Sequence, residues 1–305
     1  MEFNKSNRFN NENEKEEKSN LIHYKGKAGE FDYDPNIWIM VGDCLSFRDT
    51  KVESLPENLE LPKGCINTSF MFRYCENLAD ISPLKNWDTS NIKNMRNMFE
   101  YCENLTDLSP IKNWDTSNVE SMSYMFKRCT NLTNISPLQN WDISNVKSMS
   151  YMFECCFILT DISSLKNWNT SNVIYMNNMF FGCKKLTDLS SLQNWNISNV
   201  KNMSVMFGCC ENLTGITSIK NWDTSKVEDM SQMFWRCYKL TDISSLQNWD
   251  TSNVIDISYM FCDCTKIKDI SQLGNWDTSS VTTMKNMFEG CTNLTDKTQL
   301  LKFEK

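Results

Sequence analysis

Tryptophan recurs along most of this 305-residue chain at a fixed interval. The positions of eight tryptophans rise in steps of 27 with no insertion or deletion: Trp87, Trp114, Trp141, Trp168, Trp195, Trp222, Trp249 and Trp276. Nine cysteines, from Cys75 to Cys291, keep the same period. A unit of this length cannot enclose an apolar core by itself, so consecutive units must stack and share one. The period therefore predicts a repeat solenoid.

The apolar pattern inside one unit predicts its secondary structure. The motif V-x-x-M-x-x-M-F, which begins at Val119 in one unit, has the apolar spacing of a short helix or helical turn. Ser117 stands where an N-cap would lie, and Glu120 would complete a capping box. The segment after each cysteine, such as 132–138, is too short for another helix and predicts a short strand that stacks in parallel about 4.8 Å from its neighbours. The predicted fold class is an α/β repeat solenoid.

The composition along the chain predicts four parts. We expect a disordered polar tail over 1–29, an N-terminal cap with a degenerate repeat over 30–67, a solenoid of about nine repeats over 68–296 and a short C-terminal cap over 297–305. No stretch approaches the roughly 20 apolar residues of a membrane span. Because the C-terminal cap is thin, self-association through that end is one expected mode of interaction.

Composition also argues against several functional classes. The 31 Lys and Arg residues against 38 Asp and Glu give a net charge of −7, which disfavours nucleic acid as a partner. The single histidine, His23, leaves little for general-base catalysis or zinc ligation. No glycine-rich phosphate-binding motif is present. We therefore predict a non-enzymatic protein without a cofactor.

The cysteine column has three interpretations: a buried small apolar residue, a disulfide framework or a metal site. We favour burial, since parallel side chains and an odd number of residues suit disulfides poorly, and no C-x-x-C spacing is present. Off the column, Cys155 and Cys209 lie two repeats apart, so about 10 Å should separate them and no disulfide can join them. Many unpaired thiols are typical of a reducing or anaerobic environment.

Two further columns have alternative interpretations. The tryptophan column is either a packed edge of the core, which we favour, or an exposed stripe for sugars or a partner. The acidic column that includes Asp88 and Asp115 would align like charges. Local hydrogen bonds to the following T-S-N turn would relieve the repulsion, and a row of calcium ions is the alternative.

The repeat resembles a known family. The run M-x-x-M-F-x-x-C-x-N-L-T-x-[IL], followed by N-W-D-T-S-N-V, is similar to the BspA-like leucine-rich repeats of bacterial surface proteins and mycoplasma-type lipoproteins, over about 66–296. The resemblance implies an elongated leucine-rich-repeat-like solenoid used for adhesion or protein binding, often at the cell surface or secreted. No N-terminal apolar signal is visible in the sequence, so we predict no localisation.

Positions that differ between units are free to carry specificity, and several hold aromatic residues. We predict a scaffold that binds a protein or glycan partner through these variable positions. The candidate partner-binding residues are Phe181, Trp235, Tyr238, Tyr151, Tyr175 and Tyr259. The alternatives are a structural or self-assembling solenoid without a dedicated ligand, and exposed aromatics of no functional consequence.

Overall fold

The N-terminal part of the described chain forms two antiparallel hairpins. The structure is a computed structural model that describes residues 21–41, 44–47, 50–296, 298 and 302–303. Strand β1 pairs with β2, and β3 pairs with β4. The strand bounds are Ile22–Gly26 for β1, Gly29–Tyr33 for β2, Trp38–Val41 for β3 and Cys44–Phe47 for β4.

The first hairpin corrects part of the predicted tail. Residues 1–20 of the predicted tail 1–29 lie outside the described residues, but disorder is the wrong prediction for residues 21–29, which contain β1 and the turn into β2. The reason is the period-2 pattern of β2, which buries Phe31 and Tyr33 on one face. Ala28 in the turn is also buried, so the hairpin joins the core of the molecule.

The helical element of each unit lies after the cysteine, where we predicted a strand. One short 3-10 helix per unit follows a buried Ile or Leu, and in three units proline occupies its first turn. In seven of the eight described units with such a helix, an Asp or Asn before the helix accepts a backbone bond, as when Ser109 N–H donates to Asp107 Oδ1 at 2.8 Å. In the described part of the chain these helices are Ser82–Asn86, Ser109–Ile111, Ser136–Asn140, Ser163–Asn167, Ser190–Leu192, Thr217–Ile219, Ser244–Leu246 and Ser271–Asn275.

The motif V-x-x-M-x-x-M-F is not the predicted helix. It runs into two consecutive turns, over residues 95–101 in one unit, and we call this part of each unit the two-turn segment. Alternate N–H groups of the two-turn segment donate to the next unit. In one unit, Asn97 N donates to Ser123 O at 2.9 Å and Phe99 N donates to Met125 O at 2.9 Å. Tyr101 N–H continues the series, and both Asn97 and Tyr101 have left-handed backbones, with φ of 58° and 63°. An α-helix keeps its N–H bonds within itself, so these bonds between units exclude one.

In place of the predicted strand after each cysteine, a single parallel bridge recurs at the residue before the first methionine position of V-x-x-M-x-x-M-F. Parallel bridges connect equivalent residues of successive units from Asn67 to Thr283, through Asn94, Ser121 and their equivalents. The repeat solenoid is therefore confirmed as the architecture, whereas the predicted positions of strand and helix within the unit are wrong. Four residues of each unit bond forward through the two-turn segment, so the stack depends on these bonds more than on strands.

Aromatic columns fill the core along its length. The phenylalanine of each M-F pair stacks on the next with ring centroids 5.5–5.8 Å apart, from Phe72 to Phe288. Trp87 and Trp114 stack at 6.2 Å with a 3° angle between their planes. The tryptophans are buried, and Trp114 Nε1 donates to Leu84 O at 3.0 Å. The interpretation of the tryptophan column as a packed edge is confirmed.

The cysteine column lies within the same core. The thiol of Cys102 donates to the carbonyl of Phe72 in the previous unit at 3.2 Å, and this contact recurs from unit to unit up to Cys291. Burial raises the pKa of Cys156 well above its usual value. These thiols are small apolar residues with one weak hydrogen bond each, as the favoured interpretation predicted.

The acidic column closes a turn. Asp115 Oδ1 accepts hydrogen bonds from the N–H of Ser117 at 3.0 Å and from its hydroxyl at 2.6 Å. The serine was predicted as an N-cap acceptor, and this is wrong because Ser117 donates both bonds to the aspartate. The two bonds lower the pKa of Asp115, so the exposed carboxylate stays charged.

The last described residues pack on the end of the stack. Within the predicted C-terminal cap 297–305, the structure describes residues 298 and 302–303. The Phe303 ring meets Phe288 edge-on with centroids 5.4 Å apart. Lys302 Nζ donates to the carbonyls of Gly274 and Trp276 at 2.6 and 2.7 Å. Within the described residues, no helix has the length and apolar character needed to cross a bilayer.

Candidate partner-binding face

The two-turn segments present the side chains that vary between units. We call this surface the variable face and define it by three columns, each with the same period as the tryptophans. Column A is Arg73, Glu100, Lys127, Glu154, Phe181, Gly208, Trp235, Cys262 and Glu289. Column B is Tyr74, Tyr101, Arg128, Cys155, Gly182, Cys209, Arg236, Asp263 and Gly290. Column C is Phe70, Asn97, Tyr124, Tyr151, Asn178, Val205, Gln232, Tyr259 and Asn286.

Left-handed backbone positions the variable face. Every residue of columns B and C has a positive φ, between 55° and 75°. Few side chains favour this region, yet even the β-branched Val205 adopts it, with φ of 59°. The forward hydrogen bonds of the two-turn segment hold this backbone conformation. Because these bonds involve only backbone atoms, the side chain at each position can vary between units. The same geometry therefore displays tyrosine, arginine, cysteine or glycine in different units.

Ion pairs and stacked tyrosines cover the N-terminal half of the variable face. Lys127 Nζ lies 2.8 Å from Glu154 Oε2, and both side chains are largely buried. Burial lowers the pKa of Lys127, but the hydrogen bond and charge of Glu154 raise it more, so the net shift is upward. The Tyr124 and Tyr151 rings stack at 4.3 Å, with Lys127 Nζ 5.2 Å from both centroids. In this half, charges alternate in sign along column A, from Arg73 to Glu154.

Column A carries no charged residue from Phe181 to Cys262. Phe181 and Trp235 lie two units apart, yet their rings are nearly parallel, with centroids 6.4 Å apart. Gly208 lies between them, and a Cβ on this glycine would stand 3.1 Å from Phe181 Cδ2. The Arg236 guanidinium covers Trp235 at 4.5 Å from a ring centroid and pairs with Asp263 through Nε at 3.2 Å. The missing side chain of Gly208 thus lets two aromatic rings approach across a whole unit.

The structure distributes the six predicted residues over different surroundings. Phe181 and Trp235 come together, and Tyr259 lines the same shallow depression as Trp235; all three are half-buried. Tyr151 is half-buried and stacks on Tyr124, as described above.

The remaining two predicted residues are exposed and lie off the three columns. Tyr238 follows Cys237 at the end of its two-turn segment and has 37% of its surface exposed. Tyr175 occupies the column of parallel bridges, with 47% of its surface exposed. The structure therefore does not unite all six residues in one site.

Sequence reasoning missed the glycines of the variable face. Gly182 and Gly208 occupy positions where most other units carry a side chain. The signal was present, because the whole chain contains only nine glycines and these two lie one unit apart in neighbouring columns. Among the described residues, no group of three or more His, Cys, Asp and Glu side chains is arranged to hold a metal ion. His23 lies in the first hairpin, where Nδ1 is 2.8 Å from Asp32 Oδ1.

The fold and the columns define a stacked repeat solenoid with constant core columns and one variable face. A family model described as "Mycoplasma protein of unknown function, DUF285" matches residues 66–165, 157–265 and 210–305. The chain belongs to this family, and the resemblance to BspA-like surface repeats is confirmed.

Two solved structures are similar to the chain. One is a leucine-rich cell surface protein from Faecalibacterium prausnitzii A2-165, with 15% identity, 90% of this chain and 87% of that chain covered, and a TM-score of 0.39. The other is the functional domain of InlJ from Listeria monocytogenes, which is described as including a cysteine ladder, with 10% identity, 76% and 75% covered, and a TM-score of 0.15. No curated protein matches the chain.

Proposed function

We propose that the protein is a non-enzymatic repeat scaffold that binds a protein or glycan partner through its variable face. The observation that carries the proposal is the apolar pair Phe181 and Trp235. This pair lies on the variable face of a stack whose core columns of tryptophan, phenylalanine and cysteine are nearly constant. Membership of a family of surface repeat proteins is consistent with this role.

Rigidity of the stack favours binding. Each two-turn segment before the last described unit donates four N–H groups forward, and the phenylalanine and tryptophan columns hold neighbouring units together. Side chains on such a surface lose little conformational freedom when a partner docks, so more of the contact energy appears as affinity. The mechanism is display of fixed side chains, and no chemical step is proposed.

The apolar pair has the composition of a binding hot spot. Tryptophan, tyrosine and arginine dominate the energetics of protein interfaces, and Trp235, Arg236 and Tyr238 lie close together in the sequence. Arg236 already pairs with Asp263, so its guanidinium is held over the Trp235 ring. We propose that Phe181, Trp235 and Tyr238 anchor the partner, with Tyr259 beside them, while Tyr151 and Tyr175 contribute at the margins.

The acidic residues support a role other than catalysis. Catalysis by a pair of carboxyl groups, as in glycoside hydrolysis, needs the two groups to lie in different environments. Asp115 and Asp223 instead share one environment, in which hydrogen bonds from the neighbouring serine lower the pKa of each. Identical, ionised carboxylates suit a solvated surface.

The test is a binding comparison with a matched control. The triple variant Phe181→Ser, Trp235→Ser and Tyr238→Ser is measured beside wild type on a glycan array and on a panel of extracellular matrix proteins. The control variant carries Ile158→Ser and Ile255→Ser, which remove exposed apolar surface outside the three columns of the variable face. We expect the triple variant to weaken saturable binding at least tenfold and the control to change it less than twofold. Equal binding by all three proteins contradicts the proposal.

One observation favours the alternative of self-assembly. In the last described unit, the N–H groups of Met284, Asn286, Phe288 and Gly290 have no acceptor among the described residues, although their equivalents in earlier units all donate forward. A second copy with carbonyl groups in the same spacing would satisfy them and give a head-to-tail assembly. Light scattering tests this alternative: the mass should rise with concentration, and a fused polar capping repeat should abolish the rise. A constant monomer mass refutes it.

A further inference from the structure

Two thiols of the variable face lie in one column with a glycine between them. Cys155, Gly182 and Cys209 occupy column B in three successive units. A Cβ placed on Gly182 would stand 3.3 Å from Cys155 Sγ, so this sulfur lies over the gap that the glycine leaves. The next residue of column B beyond that gap is Cys209. Burial is the largest cause that raises the pKa of Cys155 to about 11, and a thiolate at Cys209 would raise it further.

Side chains two units apart do meet across a glycine in this protein. Phe181 and Trp235 approach to 6.4 Å between centroids over Gly208, although two steps of the phenylalanine column span nearly twice that distance. Gly182 precedes Gly208 by one unit, in the adjacent column. Column B has the same arrangement, since no side chain at Gly182 separates Cys155 from Cys209.

The expected spacing suits one atom between the two sulfurs. Stacked units place equivalent Cα atoms about 4.8 Å apart, so Cys155 and Cys209 are about 10 Å apart at Cα, beyond the reach of a disulfide. Each thiol extends about 2.5 Å along the column when it turns toward the other, which leaves about 5 Å between sulfurs. Two metal–sulfur bonds of about 2.3 Å span about 4.6 Å.

The bonding of these thiols differs from that of the core cysteines. Each core thiol described above donates to a phenylalanine carbonyl, whereas Cys155 and Cys209 make no hydrogen bond through sulfur within the described structure, although Cys155 has only 5% of its surface exposed. Charges of both signs surround the pair: beyond burial itself, neighbouring carboxylates raise the pKa of each thiol, and neighbouring cations lower it. Arg128 acts on Cys155, Arg236 acts on Cys209, and Lys184 acts on both sulfurs.

We propose that Cys155 and Cys209 bind one soft monovalent cation, Cu(I) or Ag(I), in linear coordination over Gly182. On binding, both S–H bonds break, two metal–sulfur bonds form and two protons leave to solvent. No atom changes oxidation state. The complex of two thiolates and one cation carries a charge of −1, and Lys184 acts on both sulfurs, although its Nζ also pairs with Glu211 Oε1 at 2.9 Å. Thiolates select Cu(I) among biological metals, and two donors cannot complete the tetrahedron that zinc prefers.

The test measures binding of the metal alone to the full-length protein. Under anaerobic conditions, a chromophoric Cu(I) chelator competes with wild type and with the variants Cys155→Ser and Cys209→Ser. Cys262→Ser is the matched control, because Cys262 is a buried thiol of the variable face in column A. We expect one tight equivalent in wild type and in the control, at least 100-fold weaker binding in either of the other variants, and no comparable Zn(II) site.

Two further measurements keep the proposal falsifiable if a serine variant misfolds. Cu(I) affinity should rise about 100-fold per pH unit below the thiol pKa values, because two protons leave. Gly182→Ala fills the gap and should weaken binding at least tenfold, with folding checked by circular dichroism. A tight equivalent that persists in both cysteine variants, or Zn(II) binding of similar strength, overturns the proposal. None of these measurements requires the partner of the variable face, so this site and the proposed function can fail separately.

Discussion

The phenylalanine column predicts that one core substitution will cost more in the middle of the stack than at its end. Phe180 is fully buried and stacks on Phe153 and on Phe207, with 5.8 Å between centroids in each pair. Phe288 is 9% exposed, stacks on one phenylalanine at 5.5 Å and meets Phe303 edge-on. The two positions carry the same residue type in the same column and differ mainly in their neighbours.

The size of the effect follows from burial and stacking. Replacing a buried phenylalanine by alanine costs about 3–5 kcal/mol, and each stacked aromatic pair contributes about 0.5–1.5 kcal/mol beyond buried area. Phe180→Ala removes two such stacks and leaves a cavity between two constrained units, so we expect a cost of about 4–5 kcal/mol. Phe288→Ala lies where the end of the stack can relax, so we expect about 2–3 kcal/mol.

The assay is urea unfolding followed by fluorescence of the tryptophan column and by circular dichroism. Because each unit contacts only its neighbours, Phe180→Ala should also separate the transition into two steps, as the two halves of the stack lose their coupling. A single transition with equal destabilisation by Phe180→Ala and Phe288→Ala would refute the reasoning, since it would mean that stability is not transmitted from unit to unit.

Three further predictions concern charge and thiols. Lys127→Glu places a third carboxylate next to buried Glu100 and Glu154 and should lower the free energy of unfolding by about 3–5 kcal/mol, while adding Glu154→Lys should restore much of it in the same urea assay. The pKa of Asp115 is lowered by the Ser117 hydrogen bonds, so its contribution to stability is present above the unfolded pKa of about 3.9 and is lost as pH falls toward the folded pKa. Urea midpoints should therefore be flat from pH 7 to about 5 and fall below about 4, less steeply in Ser117→Ala; a midpoint that rises on acidification contradicts this. Burial raises the pKa of Cys156, so alkylation followed by peptide mass spectrometry should label it only as fast as the protein unfolds, and rapid labelling of the native protein argues against this.

The sequence predicted the columns because a column depends only on residue type and period. Trp114 and Cys102 recur with the same period, and large apolar side chains at a constant position must be buried in a stack. The positions of strand and helix were wrong for a physical reason. The spacing of Val119, Met122 and Phe126 is shared by a helix and by two turns that end in left-handed residues. Tyr124 adopts that conformation without being glycine or asparagine, so its residue type gives no signal.

The candidate face was predictable in part. The half-buried Trp235 and the exposed Tyr238 stand out because several other units carry charged or polar residues at their positions. Their mutual arrangement depends on what lies between them, and the approach of Phe181 to Trp235 follows from the absence of a side chain at Gly208. Glycine contributes no side chain to a pattern of apolar and polar residues, so the pattern does not indicate the space that Gly208 leaves between the two rings. The ion pair of Lys127 with Glu154 was also missed, although opposite charges at equivalent positions of neighbouring units are visible once the units are aligned.

The forward bonds of the two-turn segments have an electrostatic consequence. Four N–H groups in each segment, such as those of Met95 and Phe99, point toward the C-terminal end of the stack, and the acceptor carbonyls face them. Other N–H groups donate backward, as Lys93 N does to Ile66 O, but the forward bonds outnumber them, so a net excess of aligned peptide dipoles remains and adds as in an α-helix. The solenoid therefore has a positive pole at its C-terminal end and a negative pole at the other, and every repeat gained by duplication lengthens the same dipole without reversing it.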